Sequence, residues 1–398
     1  SLAFIFLAGL LMAAVCKRLK LPGMIGMLIT GIVLGPYVLD LLDPSILSVS
    51  SDLRQMALII ILLKAGLSLD LSDLKKVGRP AIMMSCFPAS CEILAFFLLA
   101  PSLLGVTRIE AAVMGAVLAA VSPAVVVPRM VRLMDEKYGT KKSIPQLILA
   151  GASCDDIFVI VLFSTFSGMA QGGHANVMGF VNIPVSIVLG IALGAAAGFV
   201  LSVFFETSYA HRHCVRNSVK VIIVLGVSFL LMAVETWLKG IVSVSGLLAV
   251  VSMACVIRIR CVPQVTARLS EKFGKLWLAA EVILFVLVGA AVDIRYTLEA
   301  GIAAVAMIFA ALIFRGIGVS LCLVKTSLSF KERLFCIIAY LPKATVQAAI
   351  GSVPLAMGLP CGKIVLSVAV LAILITAPLG AIGIDSAYKK LLTHDENS

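Results

Sequence analysis

The chain has 398 residues, of which 61% are hydrophobic and 13% charged, and its mean hydropathy is +1.13. A soluble domain carries about 25% charged residues, so this composition excludes a water-soluble globular enzyme and a disordered tail. The formal charge of +11 does not point to nucleic acid, because the basic residues sit between apolar stretches too long for a soluble core.

Thirteen apolar segments follow in chain order: 1–16, 21–39, 53–69, 78–101, 109–127, 145–169, 180–205, 219–238, 241–257, 276–292, 297–323, 333–353 and 361–385. A crossing needs about 20 apolar residues, so the first and third are the weakest. No basic stretch precedes the first run, which therefore reads as a span rather than a signal peptide; a segment upstream of Ser1 is expected. Of the 32 Lys and Arg, 24 lie in alternate loops and five (Arg54, Arg108, Lys239, Arg295, Lys363) in the others. Cytoplasmic loops are the Lys/Arg-rich ones. The split places residue 1 outside and the C-terminus in the cytoplasm, with such loops as Lys75–Lys76 and His211–Arg212–His213 inside. It predicts an all-α polytopic membrane protein of about 13 transmembrane helices.

The remaining basic residues, Lys64, Arg315 and Lys343, fall within segments. Lys64 lies near the inner end of segment 3 and reads as snorkelling to the interface. Segment 4 carries Glu92 at mid-span. Segment 5 is broken at Ser122-Pro123. Segment 6 reads Gly151-Ala-Ser153-Cys-Asp155-Asp156, which sets two carboxylates near the bilayer midplane. Segment 7 carries Gly190, Gly194 and Gly198, a small-residue ridge for close helix packing. Segment 11 carries Arg315. Segment 12 is broken at Tyr340-Leu-Pro342-Lys343-Ala-Thr345-Val-Gln347. Glu110, Glu235, Glu281 and Asp293 lie near segment ends and read as interfacial. The ten cysteines are scattered as small apolar filler, with no spacing for zinc or disulfides.

Segments 1–6 and 8–13 pair at a spacing of seven, so partners cross in opposite directions. Secondary transporters are often built from inverted repeats with helices broken at matching positions. The division is 1–169 for the first repeat, 180–205 for a linker helix and 219–385 for the inverted second repeat. Proline leaves a carbonyl unpaired, and lipid tolerates that only beside protein or a water-filled cavity. Two such breaks suggest a midplane site where free carbonyls and half-helix ends handle ions.

A charge at the bilayer centre costs at least about 2.5–3.5 kcal/mol, so each one must be paired or functional. Segments 4 and 11 are repeat partners, which makes a Glu92–Arg315 salt bridge the leading pairing. Lys343 is available to Asp155 or to the half-helix carbonyls. Three acids then face two bases, and one carboxylate is left for an exchangeable cation. Two adjacent carboxylates repel and titrate together. A small hard cation prefers oxygen ligands and competes with a proton for such a group, which is the minimal chemistry of an antiporter.

These residues resemble the cation/proton antiporter superfamily, most closely the animal NHA-type sodium/hydrogen exchangers (solute carrier family nine, subfamily B). Leu21-Pro-Gly-Met-Ile-Gly-Met-Leu-Ile-Thr-Gly31-Ile-Val-Leu-Gly35-Pro36 is similar to the superfamily's second-helix signature. Asp155-Asp156 matches its double-aspartate ion site, and Ser122-Pro123 and Leu341-Pro-Lys343-Ala-Thr345 fall where its crossed, unwound helices belong. The resemblance implies an NhaA-like antiporter fold and a homodimer. It also implies a core of 78–169 and 297–353 that moves against dimerisation helices drawn from the remainder. Asp156 becomes the principal Na⁺, Li⁺ and H⁺ carrier with Asp155 beside it, supported by Ser122, Pro123, Ser153 and Thr345. Electrogenic relatives place a lysine near Arg315. Arginine in effect cannot deprotonate, which favours electroneutral exchange.

A potassium/proton antiporter is the nearest alternative, and a cation channel is the alternative of a different class. An intramembrane aspartyl protease needs two aspartates on separate helices, so the adjacent pair fits badly. No enzymatic activity, cofactor or nucleic acid is expected, and no phosphate-binding loop for ATP appears. Anionic lipids are expected at the basic loops. The membrane is the plasma membrane or an endosomal-lysosomal or mitochondrial one.

Overall fold

A computed structural model describes residues 1–68, 78–171, 177–210, 216–238, 242 and 244–394. The side chain of Ser153, that of Arg295, Lys239 and the loop residues Lys75, Lys76, His211, Arg212 and His213 lie outside the described residues. Beyond turns and loops, the described residues are helical, apart from one isolated β-bridge between Tyr138 and His394.

The helices in chain order are α1 (Leu2–Arg18), α2 (Gly23–Leu34), α3 (Pro44–Ser48), α4 (Ser50–Ser68), α5 (Arg79–Met84), α6 (Phe87–Leu104), α7 (Arg108–Leu118), α8 (Pro123–Asp135) and α9 (Ile144–Gln171). They continue as α10 (Val177–Ala210), α11 (Asn217–Trp237), α12 (Gly246–Arg260), α13 (Pro263–Ala290), α14 (Ile294–Cys322), α15 (Phe330–Ala339), α16 (Thr345–Gly351), α17 (Val353–Ala356) and α18 (Gly362–Leu391). Among the described residues, eight helical stretches are long and apolar enough to cross a membrane: 79–104, 108–135, 144–171, 185–206, 218–237, 263–290, 301–322 and 362–391. The protein is an integral, multi-pass membrane protein. The helices at the first, second, third, ninth and twelfth apolar segments fall short of that length or apolarity.

The two broken helices share a local design. Thr107 opens α7 with a capping box: its hydroxyl accepts from the Glu110 N–H at 3.3 Å, and the Glu110 carboxylate accepts from the Thr107 N–H at 2.8 Å. Ser329 opens α15 in the same way, with distances of 3.4 and 2.6 Å to and from Glu332. Each box satisfies donors that a helix start leaves unpaired. The second half-helix is capped at Ser122 in one case and Ala344 in the other, fifteen residues after Thr107 and Ser329 respectively. Pro123 occupies the first position of α8, where its missing N–H costs nothing.

The chain divides into two compact units. The first comprises Ser1–Ser51, Asp70–Val159 and Val282–Ser398. In it α14 packs along α6, and α18 contacts α14, α15 and α16. One end is tied by ions: Asp385 on α18 binds Arg129 at 3.1 Å and Arg132 at 3.0 Å, both on α8. Lys142 binds the nearly buried Glu332 at 2.8 Å. Glycine permits two close approaches here. A Cβ on Gly31 would lie 1.9 Å from the Val286 carbonyl oxygen, and one on Gly380 would lie 2.2 Å from Pro342 Cγ.

The second unit comprises Asp52–Leu69 and Ile160–Glu281. The Gly190/Gly194/Gly198 ridge packs against α12, where a Cβ on Gly194 would meet the Ala249 carbonyl oxygen at 2.1 Å. Lys64 is half-buried, with its ammonium 5.8 Å from the centre of the Trp277 ring. Glu235 accepts the Gly246 N–H at 3.0 Å.

Candidate functional site

The first unit brings together both helix breaks, the aspartates and the charges on α6 and α14. Glu92, Asp155, Arg315 and Gln347 are fully buried, and Asp156 is 6% exposed. Arg315 reaches Glu92 at 2.9 Å, as the repeat pairing anticipates. It also reaches Asp155 at 3.3 Å and donates from Nε to the Tyr340 carbonyl at 2.6 Å. Lys343 departs from its first expected partner: its ammonium lies 2.7 Å from Glu92 Oε1, not on Asp155. Arg315 and Lys343 both donate to Glu92 Oε2, at 2.9 and 2.8 Å, so one carboxylate oxygen joins the two cations.

The expectation of free carbonyls at the breaks is corrected. The Leu118 carbonyl accepts from Lys343 Nζ, and the Ala119 carbonyl from Arg315 Nη1. The Ala120 carbonyl accepts from Gln347 Nε2 at 2.8 Å. The Val121 N–H donates to Asp155 Oδ2 at 2.7 Å, and the Ser122 N–H to the Pro342 carbonyl at 2.8 Å. Across the second break, the Lys343 N–H donates to Thr376 Oγ1 at 3.0 Å and the Ala344 N–H to Gln347 Oε1 at 2.8 Å. Backbone groups away from water must find partners, and here side chains supply six of these seven contacts and the Pro342 carbonyl the seventh. The carbonyls of Leu118, Ala119, Ala120 and Tyr340 are thus committed to side chains, and that of Pro342 to the Ser122 N–H.

What stays uncommitted is oxygen on side chains. Asp155 Oδ1, Asp156 Oδ1 and Ser122 Oγ are buried with no hydrogen-bond partner. Asp156 makes no ion pair or hydrogen bond among the described residues, whereas Asp155 has Arg315 and Val121. Glu92 and Asp155 balance Arg315 and Lys343, which leaves Asp156 as the acid without a fixed cation. Thr345 is buried at the first position of α16, and Pro123 opens α8. No cluster of His, Cys, Asp and Glu suited to a resident metal occurs among the described residues. Carboxylate and hydroxyl oxygens are instead the ligands a hard monovalent cation prefers.

Sequence reasoning quoted Gln347 without a role and omitted Thr376. The available signal was chemical type: an amide within an apolar span has four hydrogen-bonding sites to satisfy and belongs in the same inventory as the charges. The capping boxes were also legible, as Thr107-Arg-Ile-Glu110 and Ser329-Phe-Lys-Glu332 at matching offsets from the breaks.

A family model described as "Sodium/hydrogen exchanger, transmembrane" matches residues 2–389. Sodium/hydrogen exchanger 9B2 of Homo sapiens is 34% identical over 390 residues, which cover 95% of this chain and 71% of that protein. Sodium/hydrogen exchanger 9B1 of Homo sapiens is 32% identical over 394 residues, covering 94% and 73%. The structure of the sodium proton antiporter MjNhaP1 from Methanocaldococcus jannaschii matches with a TM-score of 0.81 at 22% identity, over 98% of this chain and 97% of that one. That likeness carries the fold, an antiporter architecture of crossed, broken helices. With the family model spanning almost every residue and relatives above 30% identity along the same length, the chain belongs to the sodium/hydrogen exchanger family.

Proposed function

We propose that the protein is a secondary active antiporter in which H⁺ and Na⁺ or Li⁺ compete for Asp156, with Asp155 beside it. The observation that carries this reading is the charge balance of the crossing. Among the described residues every other buried charge there has a fixed partner, and Asp156 does not. A cation at Asp156 would have the uncommitted Asp155 Oδ1 and Ser122 Oγ as candidate oxygen donors, with Pro123, Ser153 and Thr345 as site support. The same group binds a proton when the cation leaves, so the exchange needs no resident cofactor.

The committed carbonyls favour a small cation over K⁺ and a gated site over an open pore, since channel filters are lined by free carbonyls or charged rings. The exchange is electroneutral. Arg315 holds Asp155 and in effect cannot give up a proton, and Lys343 is engaged by Glu92 and the Leu118 carbonyl rather than by the aspartates. Alternating access is by an elevator motion of the core helices, 78–169 and 297–353, in a homodimer. The C-terminus is cytoplasmic, the basic loops meet anionic lipids, and the membrane is a plasma, endosomal-lysosomal or mitochondrial one.

The test is proton flux in proteoliposomes driven by Na⁺ or Li⁺ gradients. The intact chain should exchange without building a membrane potential, and Asp156→Asn should lose exchange while keeping its melting temperature. Retained exchange in Asp156→Asn would defeat the site. A potential that follows the ion gradients would defeat electroneutrality.

A further inference from the structure

We propose that Gln347 is a specificity-determining residue that withholds the Ala120 carbonyl from the cation and so biases the site towards Na⁺ and Li⁺ against K⁺. The proposal rests on the reading of Asp156 as the exchange site.

Three successive carbonyls end the first half-helix, and their holders differ. Leu118 is held by the Lys343 ammonium and also lies 3.4 Å from Gln347 Nε2. Ala119 is held by the Arg315 guanidinium. Ala120 is held by Gln347 alone, through one neutral hydrogen bond of 2.8 Å. It precedes Val121, whose N–H donates to Asp155 Oδ2, and stands two residues from Ser122 in the chain. Gln347 is itself pinned, because its Oε1 accepts the Ala344 N–H at 2.8 Å. One amide therefore ties the end of the first break to the start of the second half-helix across the crossing. A fully buried amide with both ends engaged has little freedom to release the carbonyl.

The consequence for ions follows from ligand chemistry. A small cation is well served by a few high-field oxygens, and carboxylates with a hydroxyl supply them. K⁺ is larger, and its known selective sites in channel filters are built from rings of backbone carbonyls. Removing the Gln347 donor returns the Ala120 carbonyl to the site. Leu118 and Ala119 keep their charged partners, so the break itself remains braced. Lys343 and Arg315 cannot serve this purpose in a test, because removing either also removes a buried charge.

The test compares Na⁺-, Li⁺- and K⁺-driven proton flux at subsaturating cation for the intact chain, Gln347→Leu and Gln347→Met in proteoliposomes. Both substitutes fill the space of glutamine without an N–H donor. The ratio of K⁺-driven to Na⁺-driven rate should rise about threefold or more, the scale of one modest contact. A purely structural role would lower all rates together and leave the ratio unchanged, and an unchanged ratio in both variants would overturn the proposal. Melting temperatures in detergent identify a variant that has not folded, and the other then supplies the ratio. Asp156→Cys runs alongside: if it keeps Na⁺-driven flux, the site reading fails, whatever the glutamine variants do.

Discussion

Glu92 sits between two cations, 2.9 Å from Arg315 and 2.7 Å from Lys343. Buried ion pairs contribute little net stability, because desolvation offsets their attraction. Removing one member is different, since it strands a charge that cannot reach water. Glu92→Gln should therefore cost about 3–5 kcal/mol, read as a large drop in melting temperature in detergent. A shift of a few tenths of a kcal/mol would mean the network is not paired as described. At this scale the sequence was informative wherever a residue was ionisable. In a chain with 13% charged residues, each charge in an apolar span stands out, and repeat spacing paired Glu92 with Arg315 correctly. Lys343 was placed in the right cluster with only one of its partners foreseen. The choice between Asp155 and Glu92 depends on how the helices carrying them pack, and that is a property of the assembled crossing. Gln347 and Thr376 were harder to see, because uncharged polar residues are common even in helices that do nothing with them.

The broken helices show how far an element can be read from its ends. Proline and hydroxyl residues marked both breaks, and capping residues fixed both starts fifteen residues earlier. The fate of the carbonyls was not legible, because it depends on side chains from helices far away in sequence. Glu332 illustrates the coupling. It caps α15 and also binds Lys142. Burial pushes its carboxyl up, but the donors from Lys142 and Ser329 outweigh this and hold it below the ordinary carboxylate range. A carboxylate depressed in the folded state adds stability that is fully present above its unfolded pKa of about 4.3. That contribution is lost as pH falls through the lower folded value. Melting curves from pH 6 down to the onset of acid unfolding should thus be flatter for Glu332→Gln than for the intact chain, with the intact chain more stable at the upper end by roughly 1–3 kcal/mol. Parallel curves would remove Glu332 from the account.

Across the whole molecule, hydropathy gave the class and resemblance gave the architecture. Eight helical stretches meet the measure of a crossing among the described residues, while the thirteen apolar segments include short and interrupted helices that such a measure passes over. Interruption is itself informative in a bilayer. A chain this apolar tolerates unwound backbone only where partners are supplied, and Asp155, Arg315, Lys343, Gln347 and Thr376 supply them here. Among the acids at the crossing, what remains without an ion pair is Asp156, whose Oδ1 also lacks a hydrogen bond. The central claim is that one proton and one cation exclude each other at Asp156. It is tested most directly by the Na⁺ dependence of exchange in proteoliposomes at a series of pH values. The account predicts that, on the acid side, the apparent KM for Na⁺ rises about tenfold per pH unit, as for one competing proton, while the rate at saturating Na⁺ holds constant. A KM independent of pH, with protons lowering only the maximal rate, would contradict it.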